Sequence, residues 1–330
     1  MILAGDIGGT KTNIAVFSVE NGRLVERNKK TYPSKNYPSL EAVLKDFTAE
    51  NAAPITAASF GVAGPVVGET VKTPNLPWFV DGRAVARALG LKTVALLNDL
   101  EAAGYGAGIL DKSEFKILNA GSFDPQANMG FIAAGTGLGE AILYPVAGRY
   151  RVLASEGGHA DYAARTALEI EMLAHLAARF GHVSYERVVS GPGLVNIYNF
   201  LKDSGRFAEP QWLKNRLAEG DPAAAISHAG LVGEAEICVE ALDLFVSSYG
   251  AEAGNLALRA KALGGVYVGG GIAPKIVDKL ADGAFMRAFI DKGRYAELLA
   301  RVPVQIVLND EAALRGAAYY GAHYMQEAAP

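Results

Sequence analysis

Leu3-Ala4-Gly5-Asp6-Ile7-Gly8-Gly9-Thr10-Lys11-Thr12 is an apolar run that ends in bare backbone beside one carboxylate. It nearly satisfies the P-loop pattern of glycine, four residues, then Gly-Lys-Ser/Thr, but Thr10 stands where the pattern needs its second glycine. A P-loop also opens a helix, whereas Asn13-Ile14-Ala15-Val16-Phe17-Ser18-Val19 is β-branched and apolar, so the turn joins two antiparallel strands. Phe131-Ile132-Ala133-Ala134-Gly135-Thr136-Gly137-Leu138-Gly139 begins in the same way. It carries the first two glycines of the dinucleotide fingerprint, but Glu140 replaces the third and Ala141-Ile142-Leu143-Tyr144 reads as a strand, which disfavours a Rossmann site. Two such openings, too far apart for a solenoid, predict an internal duplication and two related lobes.

Outward from these hairpins, apolar runs predict strands at 2–7, 12–19, 56–62, 93–97, 129–134, 139–145, 265–268 and 302–308. Helical spacing falls at 39–50, 81–89, 100–107, 222–262, from Pro274, and 310–325, so the class is α/β. The stretch 222–262 has no proline after Pro222 and places Ile237, Ala241, Leu244 and Phe245 on one side, as lobe core or as a homodimer seam. The polar, turn-rich segment 203–221 reads as a surface connection.

The whole chain, 330 residues with 50% hydrophobic and 20% charged side chains, is long enough for two cores. Its 31 basic and 35 acidic groups leave a formal charge of −4 with no basic run, which argues against nucleic acid as a partner. No apolar run is long enough to span a membrane, and the acid at position 6 rules out a secretory signal at this N-terminus. A lone cysteine, Cys238, forms no intramolecular disulfide and no thiolate zinc cage, so the expectation is a cytoplasmic protein without zinc. Glycine is abundant, 38 residues, and clusters after apolar runs, where bare backbone turns can cradle anions. The N–H groups of Gly8, Gly9 and Thr10 are candidate phosphate donors, and Asp6 beside them makes sense if a cation such as Mg²⁺ lies between. The alternative is a purely structural hairpin.

Asp-x-Gly-Gly-Thr at 6–10, Gly-Thr-Gly-x-Gly at 135–139 and Gly-Gly-Gly at 269–271 resemble the phosphate and adenosine motifs of the actin-like sugar kinase superfamily. With Leu97-Asn98-Asp99, Glu156-Gly157-Gly158-His159-Ala160-Asp161 and Glu186-Arg187-Val188-Val189-Ser190-Gly191-Pro192-Gly193 between them, the set resembles the bacterial glucokinase family from residue 3 to about 323. The resemblance implies a two-lobed, RNase H-like duplicated fold, with a small lobe at 1–109 plus 305–330 and a large lobe at 110–304, closing over a sugar. It implies ATP held at Gly5, Asp6, Ile7, Gly8, Gly9, Thr10, Gly135, Thr136 and Gly137, with adenosine approaching the backbone at Gly269, Gly270 and Gly271. Asp6 would act on Mg²⁺ through water, and Asp99 would be the catalytic base.

The residues themselves leave Asn98 and Asp99 open between two roles. They follow an apolar run, where a pair of side chains can enter a cleft, yet Asn98 with Glu101 also imitates a helix capping box. Glu156, His159 and Glu186 suit a sugar, since carboxylates and a neutral imidazole accept hydroxyl protons, although each type is also common as a solvated or structural residue. The resemblance makes Asn98, Asp99, Glu156, His159 and Glu186 the glucose-binding set, with Asn75 added and Trp78 a packing anchor. A related repressor/kinase family carries a zinc-binding cysteine cluster, which this chain lacks. Competing readings are another hexose kinase, an actin-like ATPase that phosphorylates no small molecule, and a sugar sensor. ATP or polyphosphate is the donor in the sequence reading.

Overall fold

The computed structural model describes residues 1–51, 53–74 and 76–325. The chain forms two compact units, Met1–Lys112 with Arg149–Ala154 and Asn309–Pro330, and Ser113–Gly148 with Ser155–Leu308. The expected small lobe had no counterpart to the piece Arg149–Ala154.

In the first unit β1 (Ile2–Ile7) is buried almost throughout, as an apolar central strand should be. It pairs antiparallel with β2 (Lys11–Glu20), which pairs with β3 (Arg23–Pro33), and parallel with β4 (Ala57–Val62). After a small sheet of β5 (Val66–Val67), β6 (Thr70–Lys72) and β7 (Phe79–Asp81), β8 (Ala95–Asn98) completes the order β3-β2-β1-β4-β8. Leu3, Ile7, Ile14, Phe47, Phe60 and Trp78 share the core. Trp78 is an anchor, as expected, with its indole N–H on the Tyr37 carbonyl at 2.9 Å.

The terminal helix Ala312–His323 packs on helix Asp99–Ala107, and glycine makes the approach possible. A Cβ on Gly106 would overlap the carbonyl of Ala312, and one on Gly316 would overlap the carbonyl of Ala102. This contact sets the helix that begins at Asp99.

The second unit contains β9 (Phe115–Asn119), β10 (Met129–Ala134), β11 (Leu138–Val146), the last residue of β12 (Arg149–Ser155), β13 (Gly265–Gly269) and β14 (Val304–Val307). Within it the order β11-β10-β13-β14 repeats β2-β1-β4-β8: an antiparallel hairpin, then parallel neighbours. The duplication read from the two hairpins is therefore present in the topology. The helix Glu236–Ala260 forms the centre of this core, with Phe245 and Tyr249 fully buried.

Three sequence expectations change. The stretch 222–262 is two helices, Pro222–Leu231 and Glu236–Ala260, because Gly233 takes left-handed backbone at φ 71° between them. Gly230 lets them close together, since a Cβ there would meet the Cys238 carbonyl at 2.6 Å. The 203–221 segment contains the helix Gln211–Glu219, which buries only Leu213 and is polar for that reason. The residues after Pro274 form short helical pieces, Ala273–Ile276, Val277–Leu280 and Ala284–Ile290, instead of one helix.

Candidate active site

The turn between β1 and β2 closes through the Gly8 N–H, which donates to the Lys11 carbonyl at 2.9 Å. That bond engages, within the turn itself, one of the three N–H groups expected to serve phosphate, those of Gly8, Gly9 and Thr10. Ser34 braces the loop from behind. Its hydroxyl donates to the Gly8 carbonyl at 2.7 Å and stands 3.0 Å from the Thr12 hydroxyl, and its N–H donates to the Thr10 carbonyl at 3.0 Å. Nothing local in the sequence marks Ser34, because it reaches the loop only through the β2–β3 pairing.

Asp6 lies opposite Asn13 in the β1–β2 register, and the Asn13 amide donates to its Oδ2 at 3.4 Å. The Thr31 hydroxyl donates to the side-chain Oδ1 of Asn13 at 2.8 Å, which turns the amide nitrogen toward the carboxylate. Burial pushes the Asp6 carboxyl up to about 6, against the Asn13 hydrogen bond, and the charges of Asp99 and Asp310 add to the rise. Asp99 and Asp310 thus both disfavour the Asp6 charge, a cost that a divalent cation would relieve. Asp310 was missed in the sequence, although it follows β14 much as Asp99 follows β8, a carboxylate just past a strand end.

Asn98 caps the helix Asp99–Ala107. Its Oδ1 accepts the Leu100 N–H at 2.9 Å and its amide donates to the Gly64 carbonyl at 3.0 Å. Asn98 therefore has a structural role at both ends of its amide. Asp99, the first helical residue, accepts the same Leu100 N–H on Oδ1 at 2.9 Å. Asn75 lies outside the described residues.

Glu101 completes the cap by accepting the Asn98 backbone N–H, yet burial raises its carboxyl to about 7 against that bond. The native state holds this proton more tightly than the unfolded chain. Its stabilising effect is therefore full below about 4.5 and lost as pH rises through about 7. Glu101→Gln keeps the acceptor without the charge. Thermal melts should show the variant more stable than the parent above pH 7, by up to roughly 3 kcal/mol, and matched near pH 4. Identical melting curves at every pH would contradict this account of Glu101.

In the second unit, Glu186 is drawn to the second glycine hairpin, where its Oε2 accepts the Leu138 N–H at 3.0 Å. A Cβ on Gly137 would stand 2.5 Å from that oxygen, so the glycine is what admits the carboxylate. The Gly135 N–H donates to the Gly137 carbonyl at 2.8 Å and closes the turn, leaving Thr136 and Gly137 as backbone donors. The Glu156–His159 loop packs on the same strand. A Cβ on Gly158 would overlap the Leu138 carbonyl, and one on Gly157 would overlap a Glu140 carboxylate oxygen. Glu156 and His159 are exposed, 4.0 Å apart at their nearest polar atoms. Tyr185 N–H donates to the Ala160 carbonyl at 3.0 Å, which ties this loop to the segment carrying Glu186.

Beneath the loop lies a polar cluster that the sequence did not reveal. Glu140 and Glu252 are fully buried, with Arg259 paired to both. Burial first, and then the Glu252 carboxylate, hold the Glu140 carboxyl well above the ordinary range. Gly269 is the buried last residue of β13, and Gly270, at φ 83°, lies against Ala134, where a Cβ would overlap the carbonyl oxygen.

Residues 3–324 match the glucokinase family. A protein of Synechocystis named glucokinase is 41% identical, covering 96% of this chain and 96% of that protein. The crystal structure of a glucokinase from an Antarctic psychrotroph superposes with a TM-score of 0.87 at 32% identity, over 97% of this chain and 98% of that one. A ROK family glucokinase from Streptomyces griseus, solved with glucose and AMPPNP, has a TM-score of 0.62 at 24% identity, over 97% and 99% of the two chains. The fold is the two-lobed, actin-like fold of these sugar kinases.

Proposed function

This chain belongs to the glucokinase family, and we propose that it transfers the γ-phosphoryl group of ATP to the 6-hydroxyl of D-glucose, with Asp99 as the base. One observation carries the assignment of residues. The Glu186 carboxylate rests on the phosphate hairpin at Leu138, on which the Glu156–His159 loop also packs, so hydroxyl acceptors stand beside phosphate donors. An ATPase that acts on no small molecule needs no such acceptors there.

Glu156, His159 and Glu186 accept glucose hydroxyl protons, which orients the sugar without requiring a charged ligand. Gly9 and Thr10 of the first hairpin, with Thr136 and Gly137 of the second, donate to the phosphates, and the turn Gly269–Gly271, exposed at Gly270 and Gly271, takes the adenosine. Asp6 suits a hydrated Mg²⁺, which when bound supplies positive charge to the phosphate oxygens. The 6-hydroxyl oxygen attacks the γ-phosphorus, the bond to the β–γ bridging oxygen breaks, and the hydroxyl proton passes to Asp99 as ADP leaves. A carboxylate suffices because the transition state is loose and the nucleophile needs little prior ionisation. Asn98 acts through the helix that presents Asp99, and Asn75 remains in the proposed sugar set on sequence grounds. The two compact units are the proposed small and large lobes.

ADP release from Mg-ATP, compared with glucose, mannose, fructose, N-acetylglucosamine or no sugar, tests the substrate. Turnover should depend on sugar and be highest with glucose. Equal turnover without sugar would remove the kinase reading, and preference for another sugar would move the chain to a neighbouring hexose specificity.

A further inference from the structure

The central helix of the second unit delivers a single polar group to the place where the two proposed nucleotide loops begin. Tyr249 is fully buried, and its ring is fixed by edge-on contacts to Phe245 and Phe285, with centroids 6.0 and 5.5 Å away. Its hydroxyl accepts the Ala134 N–H at 3.2 Å and faces the carbonyls of Gly269 at 3.2 Å and Ile132 at 3.3 Å, one of which receives its proton. Ala134 is the residue before Gly135-Thr136-Gly137, and Gly269 opens Gly269-Gly270-Gly271.

The β10–β13 ladder ends at the pair Ala133 and Gly269, so no ladder bond joins the chains beyond it. The hydroxyl takes over at that point. The Ala134 carbonyl is engaged from the other side, accepting the Ile272 N–H at 3.2 Å, and Gly270 packs directly on it. Both backbone groups of Ala134 are thus held by partners that also hold the 269–272 turn. Removing the hydroxyl would leave the buried Ala134 N–H without this acceptor and one carbonyl, of Gly269 or Ile132, without this donor, and loops with bare glycine backbone offer little resistance to shifting.

We infer that Tyr249 is a positioning residue for nucleotide binding, whose hydroxyl locks the 135–137 phosphate hairpin and the 269–271 adenosine turn into one rigid cradle. The inference rests on the proposed function for the identity of those loops, and adds to it a residue distant from any reacting atom. Tyr249→Phe removes one oxygen and keeps the ring, so the aromatic packing stands.

Calorimetric titration of the full chain with Mg-ADP and, separately, with glucose tests it. The variant should bind Mg-ADP about fivefold to thirtyfold more weakly, the span of one lost buried hydrogen bond, with a clearly smaller loss for glucose, whose acceptor Glu186 rests on only one of the two loops. In turnover, KM for ATP should rise by a larger factor than KM for glucose. Unchanged Mg-ADP affinity, or equal loss for both ligands, would overturn the inference, since a merely structural tyrosine weakens both alike. Should the variant not fold, amide exchange on the parent decides: Mg-ADP must slow residues 132–137 and 269–272 together, and protection of one segment alone overturns the lock. The ADP titration needs no sugar chemistry. A parent that binds Mg-ADP yet phosphorylates no glucose therefore defeats the proposed function alone, while a parent that binds no Mg-ADP defeats both.

Discussion

Asp99→Asn should lower kcat for glucose phosphorylation by about 10²- to 10⁴-fold, the range a positioned general base contributes. The substitution keeps side-chain volume and the oxygen that accepts the Leu100 N–H, so the helix cap survives. What it removes is the ability to take the hydroxyl proton and one negative charge beside Asp6. Because the Asp99 charge adds to the rise of the Asp6 carboxyl, the variant should ionise Asp6 more readily and keep its hold on Mg-ATP. The expected pattern is a collapse of kcat with KM for ATP little changed. A variant retaining more than about a tenth of parental turnover would reduce Asp99 to the first residue of a helix.

Gly316→Ala should be among the most damaging single methyl additions in the first unit. The added Cβ would overlap the Ala102 carbonyl and stand 2.5 Å from the Gly106 nitrogen, both backbone atoms that no rotamer change can move away. The terminal helix and helix Asp99–Ala107 must then separate, costing about 3 kcal/mol or more in a urea titration. Asp99 starts the displaced helix, so activity should fall along with stability. Gly108→Ala is the matching control, since φ is −68° there and a Cβ would find its nearest neighbour at 3.5 Å. It should change stability by no more than about 0.5 kcal/mol, or raise it slightly. Equal behaviour of the two variants would contradict the close helix contact.

What the sequence made legible was whatever a short window encodes. The buried strands at Ile2–Ile7, Met129–Ala134 and Gly265–Gly269 read as apolar runs ending at glycine, and the matching hairpins disclose the duplication. Asn98 was left between capping and sugar binding because one residue pattern serves both; only the Gly64 and Leu100 bonds show its amide engaged at both ends. Ser34, Asp310, Glu252 and Tyr249 were not legible. Each acts on a loop far away in the chain, through sheet register or helix packing, and a serine, a buried glutamate or a helical tyrosine looks the same in sequence whether or not it does so. Gly8 shows the converse: the turn itself engages an N–H that the sequence pattern offers to phosphate.

The most direct test of the central claim is to follow the phosphorus. Incubation of the protein with Mg-ATP and ¹³C-labelled glucose, followed by ³¹P and ¹³C NMR, should yield one ADP for each glucose carrying phosphate on carbon 6. Phosphate appearing as the free inorganic ion, or on another carbon, would contradict transfer to the 6-hydroxyl and the role given to Asp99.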